Sequence, residues 1–291
     1  MAFNHQRVGE LLHVAYDAIH CDEANRLIES IDALQESLVG TIPFDWRYNA
    51  VHWAVNVQNL CLEIRYSIAW MRALARYVSE CEAEDRWSAE SLISYYGDNA
   101  ATRISSCRDK VALLAWSFYC PFNPDNRKEI LSFDPILERF AHPIRFGLYM
   151  EGHEAFLPEL MKLVRPHFDR ALDYRNKKVH RIEPRIMLRQ PEEADNPSYM
   201  FALTTDSEIR RFDQKLAEIH PNERRRAEVR QVCFKAGVLF DQRAPKELLW
   251  HFDDFDEFIH ACWKCLCDAS AGSCQIFLSR EPLLSKDEPP N

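Results

Sequence analysis

Residues 50 to 84 read AVHWAVNVQNLCLEIRYSIAWMRALARYVSECEAE, a stretch without a single proline or glycine. Leu60, Ile64, Ile68, Met71 and Ala75 continue one apolar stripe through it at steps of three or four, the period of a helix with a buried side. A stripe sustained over so many turns does not suit a lone surface helix. It predicts a central one. A second long run, from about Ser88 to Tyr119, opens with Ser-Ala-Glu-Ser and carries Ile104, Val111, Leu114 and Phe118 on one side. It stops at CPFNPDN (120–126), where two prolines end helical geometry. Two long helices joined by a short polar link predict an antiparallel pair.

Composition agrees with helices. Of 291 residues only seven are glycine, and 47% are apolar, enough for a substantial core. The formal charge of −9 provides no overall field that would draw a polynucleotide, so any contact with nucleic acid has to be local. Ten cysteines, and an opening MAFNHQRVGELLH without a cationic segment followed by an apolar one, suit a reducing, cytoplasmic setting. Charged or amide residues interrupt every apolar run before it reaches membrane-spanning length, and no membrane partner is expected.

Outward from the long pair, Val8, Leu11, Leu12, Ala15 and Ile19 mark a first helix, and Leu27, Ile31 and Leu34 a second over roughly Asp22 to Leu38. Residues 121–157 look like short helices and turns. The organisation expected is an all-α, up-and-down helical bundle with additional N- and C-terminal helices. Residues 1–45 form an N-terminal helical extension, 46–190 the core, and 191–291 a C-terminal helical extension with a disordered tail.

The segment ALDYRNKKVHRIEP (171–184) carries the candidate chemistry. Pro158 suits a first helical turn, Pro166 kinks or restarts the helix, and Pro184 stops it near Ile182. Stepping along it gives Leu160, Val164, Phe168, Ala171, Arg175, Val179 and Ile182. Arg175 thus falls where an apolar residue is expected, and a guanidinium there needs a carboxylate such as Glu63 or Asp109, a phosphate, or a partner surface. Asp173, Lys177 and Arg181 follow at i,i+4 as an ordinary solvated row. Arg175 and His180 leave an ideal helix about 140° apart, so one helix does not aim both at one point. A second copy of the helix across a two-fold axis would.

At RNKKVH (175–180) the sequence resembles the HEPN superfamily, helical proteins whose ribonuclease members carry arginine, four to six residues, then histidine, on a late helix behind two long ones. The same spacing recurs at Arg47 and His52, so the position in the chain carries the resemblance, over about residues 50–185. It implies a metal-independent endoribonuclease whose cleft is shared by two subunits, with RNA as substrate, no cofactor and no metal. A homodimer and an antitoxin or regulatory partner, of the toxin or defence kind, come with it. His180 would be the acid/base, Arg175 the phosphate stabiliser and Asn176 a positioner, with Lys177, Lys178 and Arg181 as backbone grips. The alternatives are a non-catalytic helical dimer that binds RNA, a nucleotide or a protein through the same cleft, and an unrelated helical protein with an accidental motif.

The last third offers two further groups. A capping box, Thr205 to Glu208, opens one helix, and NERRRAEVRQVCFK then concentrates Arg224, Arg225, Arg226, Arg230 and Lys235. Arg224 and Arg225 could grip phosphates, but the interleaved Glu223 and Glu228 favour a salt-bridged, solvated face. Cys262, Cys265, Cys267 and Cys274 group in HACWKCLCDASAGSC. They lack the turn residues of a zinc knuckle and are expected to be buried thiols.

Overall fold

The computed structural model describes residues 4–38, 47–80, 83–118, 132–148, 153–180, 185–188, 206–235 and 249–279. Ten α-helices occur in these segments, and the fold is an all-α bundle. Its axis is the pair α3 (Arg47–Glu80) and α4 (Ala83–Trp116), each 34 residues long. Cys61 meets Cys107, Glu63 meets Arg103 and the ring of Trp70 lies on that of Tyr96. As one number rises the other falls, so the pair is antiparallel.

Helices α1 (His5–Ala18) and α2 (Asp22–Glu36) lie end to end beside this pair. Asn4 caps α1 through the backbone N–H of Arg7, and Arg7 reaches Glu80 while Arg65 reaches the Tyr16 carbonyl, so α1 runs back along α3. At α2 the cap is the Cys21 thiol, which accepts the N–H of Ala24 at 3.4 Å. Val8, Leu11, Leu27, Ile31 and Leu34 are buried on the expected sides of the two helices.

Helix α10 (Phe252–Ser279) departs from the expected arrangement. Rather than extending from the bundle, it lies inside it, with Phe255, Ile259, Trp263, Leu266 and Phe277 buried in one core with α3 and α4. It runs antiparallel to α3, where Arg72 holds Asp256, and parallel to α4, where Phe277 meets Phe118. This placement explains why α3 is buried on more than its one stripe: Val57, Cys61, Ala69 and Leu74 are also enclosed, because α1, α2, α4 and α10 surround it. Among the described residues, α10 thus shares its core with α3 and α4.

Shorter elements close one side. Helix α5 (Phe133–Ala141) packs on α4, and α6 (Leu157–Met161) is separate from α7 (Pro166–His180), so Pro166 restarts the chain as a new helix. After α7, β1 (Arg185–Met187) pairs in parallel with β2 (Leu249–His251), the two strands that the periodicity did not indicate. Gly97 of α4 lies under this pairing. A Cβ there would overlap Ile186 and come within 2.9 Å of Phe255, which is why the middle of a long helix carries glycine. Helices α8 (Asp206–Ile219) and α9 (Glu223–Lys235) pack on each other. Thr205 and the tail from residue 280 lie outside the described residues. Among the described residues no helix is long and apolar enough to cross a membrane.

Candidate functional site

Helix α7 contains the RNKKVH segment and crosses α4. Its buried side runs through Phe168, Ala171 and Tyr174, not through Arg175. Tyr174 wins the inner position because it can satisfy both ends: its ring sits 5.1 Å from Phe255, and its hydroxyl donates to Asp98 Oδ1 at 2.7 Å. Arg175, one residue on, is exposed. The expectation of a guanidinium in an apolar stripe is therefore corrected. Val164, in the break between α6 and α7, is exposed as well, while Phe168 and Ala171 beyond it are buried; the wrong step is the one of four from Ala171 to Arg175, where a step of three reaches Tyr174.

What Arg175 faces is polar. Its Nη1 donates to Ser105 Oγ of α4 at 3.4 Å, a long hydrogen bond. One turn further along α4, Asp109 accepts the Phe133 N–H at 2.9 Å. Burial holds the Asp109 carboxyl above the usual carboxylate range, while the Phe133 N–H and the charges of Arg108 and Arg175 pull it back down. Arg108 lies 3.9 Å over the Phe133 ring and 3.4 Å from Asp134, with its Nε buried and without a hydrogen-bond partner. Two guanidinium groups and two carboxylates thus collect along α4 where α5 and α7 pack on it. Of the two acids named from sequence, Asp109 feels the charge of Arg175. Glu63 instead pairs with Arg103.

Asn176, Lys177, Lys178 and His180 belong to α7 by their backbone; their side chains, and Arg181 altogether, lie outside the described residues. Ser105, Arg108 and Asp134 were not singled out from sequence. The only signal was the pair Arg108-Asp109 set in a long apolar run, and it does not reveal which helix will lie opposite.

The other two groups are accounted for by their partners. Arg224 and Arg225 both pair with Glu228, Arg230 reaches Asp213, and Arg226 donates to the His220 and Pro221 carbonyls. This is a salt-bridged, solvated surface. The four cysteines of α10 point into different surroundings. Cys262 Sγ is 3.7 Å from the His167 carbonyl, Cys267 lies beside Cys61, Cys274 is enclosed and Cys265 is half-buried. Burial raises the Cys262 thiol strongly and pushes Cys274 up to about 12, so these are inert thiols rather than thiolates. Among the described residues no cluster of His, Cys, Asp and Glu has the geometry to hold a metal ion.

Comparison with protein-family models, curated proteins and solved structures finds no match for the chain.

Proposed function

We propose that the chain is a metal-independent endoribonuclease of the HEPN type, acting as a homodimer in the cytoplasm under the restraint of a partner protein. The supporting observation is the place of Arg175: exposed, on the helix that crosses the second of two long antiparallel helices, beside Ser105 rather than sunk in the core.

In this reading the substrate supplies its own nucleophile. The 2′-hydroxyl attacks the neighbouring phosphorus as His180 accepts its proton, the O2′–P bond forms and the P–O5′ bond breaks. The departing 5′-oxygen takes a proton from the second acid/base group of the shared cleft, His180 of the other copy, leaving a 2′,3′-cyclic phosphate and a 5′-hydroxyl. Arg175 forks onto the phosphate oxygens as negative charge builds there, and Asn176 orients the phosphate. No metal or redox group enters this balance.

One observation favours a second reading. Arg175 lies in the field of Asp109 and bonds Ser105, so it would serve equally as a tie between α7 and α4 in a non-catalytic scaffold. Cleavage of a mixed RNA pool in EDTA by wild type, Arg175→Ala and His180→Ala separates the two. The ribonuclease gives cyclic-phosphate ends from wild type and a loss of about 100-fold or more in each variant at unchanged helicity. Cleavage that survives His180→Ala would sink the assignment. An uncleaved pool, with RNA binding that still depends on Arg175, would establish the scaffold.

A further inference from the structure

A concavity lies on another face of α4. Arg103 and Ser105 are two residues apart and so leave the helix about 160° apart. Ser105 faces α7, while Arg103 faces a cleft of about 760 Å³ between α1, α3 and α4. That volume lies within the roughly 300 to 1,000 Å³ typical of ligand pockets.

Four tyrosines line it: Tyr16, Tyr66, Tyr95 and Tyr96. Three of them belong to one aromatic run. Tyr96 stacks on Trp70 with ring centres 5.0 Å apart and planes 2° from parallel, Tyr66 meets Trp70 edge-on, and Tyr95 meets Tyr96 edge-on. The run is anchored inward through Trp70, yet Tyr66 and Tyr95 stay 47% and 58% exposed. Tyr16 is fixed separately, with the Arg65 guanidinium 4.0 Å over its ring. Leu12 and Leu62 complete the apolar part.

The polar part has a definite pattern. Arg103 Nε donates to Glu63 Oε2, and its Nη1 donates to Asn99 Oδ1 at 2.8 Å. That leaves Glu63 Oε1 as an acceptor and the Asn99 amide nitrogen as a donor on either side of a guanidinium whose charge is balanced. Each class of occupant meets this wall differently. An aliphatic chain would bury the ion pair without pairing it. An organic cation would find tyrosine faces but also Arg103. An uncharged, flat ring system with a donor and an acceptor side by side on its edge meets both the rings and the polar groups.

We infer that the cleft between α1, α3 and α4 binds an uncharged planar heteroaromatic molecule of the nucleobase class, stacked on Tyr66 and Tyr95 and read along its edge by Glu63, Asn99 and Arg103. This site is independent of the ribonuclease reading, and its test measures binding alone.

Adenosine and uridine, with ribose and choline as controls, are titrated into the full chain by calorimetry, with tryptophan fluorescence followed in parallel because Trp70 lies in the aromatic run. Saturable binding of at least one nucleoside is expected, with none of ribose or choline. Tyr66→Ala and Tyr95→Ala, both at exposed positions, should each weaken it about tenfold, the worth of a stacked base, and Arg175→Ala should leave it unchanged. The inference is overturned if neither nucleoside binds at millimolar concentration, if choline binds as well as they do, or if both tyrosine variants bind like wild type. A single-stranded oligonucleotide supplies the remaining arm. Binding far tighter than the nucleoside, and lost in Arg175→Ala, would overturn the small-molecule site in favour of an RNA track, whereas binding no tighter than the nucleoside supports it.

Discussion

Helices α10 and α7 both carry residues that look reactive when read alone, and they end on opposite sides of the solvent boundary. In α10 the reactive types are consumed by packing. Cys267 lies against Cys61, whose own thiol is raised first of all by its hydrogen bond with Cys107 and further by burial. In α7 the buried side is taken by Phe168, Ala171 and Tyr174, and Arg175 is left outside. The difference does not come from residue chemistry. It comes from how many neighbours each helix has: α10 is enclosed by α2, α3 and α4, whereas α7 is laid on the bundle from one side. A residue type suggests chemistry only after the packing has decided whether it can meet a substrate.

The comparison breaks most visibly at Trp263. Its ring is almost wholly buried, its Nε1 donates to the Cys61 carbonyl at 3.0 Å, and His260 stacks on it at 5.6 Å. Trp263→Ala should cost about 3 to 5 kcal/mol, the range for emptying an aromatic core site. Denaturant titration reads it directly. Trp263→Phe keeps most of the ring volume and forfeits the hydrogen bond, and should cost clearly less. If the alanine variant proved nearly as stable as wild type, α10 would not lie inside the bundle.

Each of the two helices also carries a half-buried histidine, and these sharpen the contrast through pH. His260 of α10 is held below the ordinary histidine range by burial first, then by the charge of Arg72, with Lys264 adding to this and Asp256 and Glu23 opposing it. His167 of α7 is lowered by burial, with Arg165 and Arg170 adding to it. Both Nε2 atoms are buried without a hydrogen-bond partner. The unfolded chain takes up protons near pH 6.5 while the folded chain resists them. The stability tied to these histidines is therefore complete above about pH 6.5 and lost as pH falls from there toward the folded values. Thermal unfolding between pH 7.5 and 5 should show this decline, and His260→Gln and His167→Gln should each flatten part of it. A slope untouched by either substitution would mean that carboxylates carry it instead.

Much of this architecture was legible in the chain. Val8, Leu11, Leu27, Ile31, Leu34, Ile64, Ile68 and Met71 fell on the buried sides because each helix keeps a single phase from end to end. Pro166 announced the break between α6 and α7, and the stripe carried across it still reached the buried Phe168 and Ala171 before failing one step later. Choosing between Tyr174 and Arg175 then depended on Asp98 and Phe255, residues about 80 positions away on either side, which no local period encodes. The cleft was illegible for the same reason: Tyr16, Tyr66 and Tyr96 come from three helices, and each alone looks like ordinary amphipathic decoration.

The smallest effect bears most directly on the candidate site. Asp109 is raised by burial and pulled back in part by Arg175, so removing that guanidinium should raise the carboxyl further. Carboxyl-carbon NMR titration of wild type and Arg175→Ala reads this as an upward displacement of the Asp109 midpoint, and Arg175→Lys should restore much of it because the charge returns without the fork. If Asp109 titrates identically in Arg175→Ala, the arginine is not the counter-charge of Asp109 and its hydrogen bond to Ser105 is its tie to α4. If it moves as expected, the charge on α7 has a counter-charge within the chain, set across the α4–α7 contact.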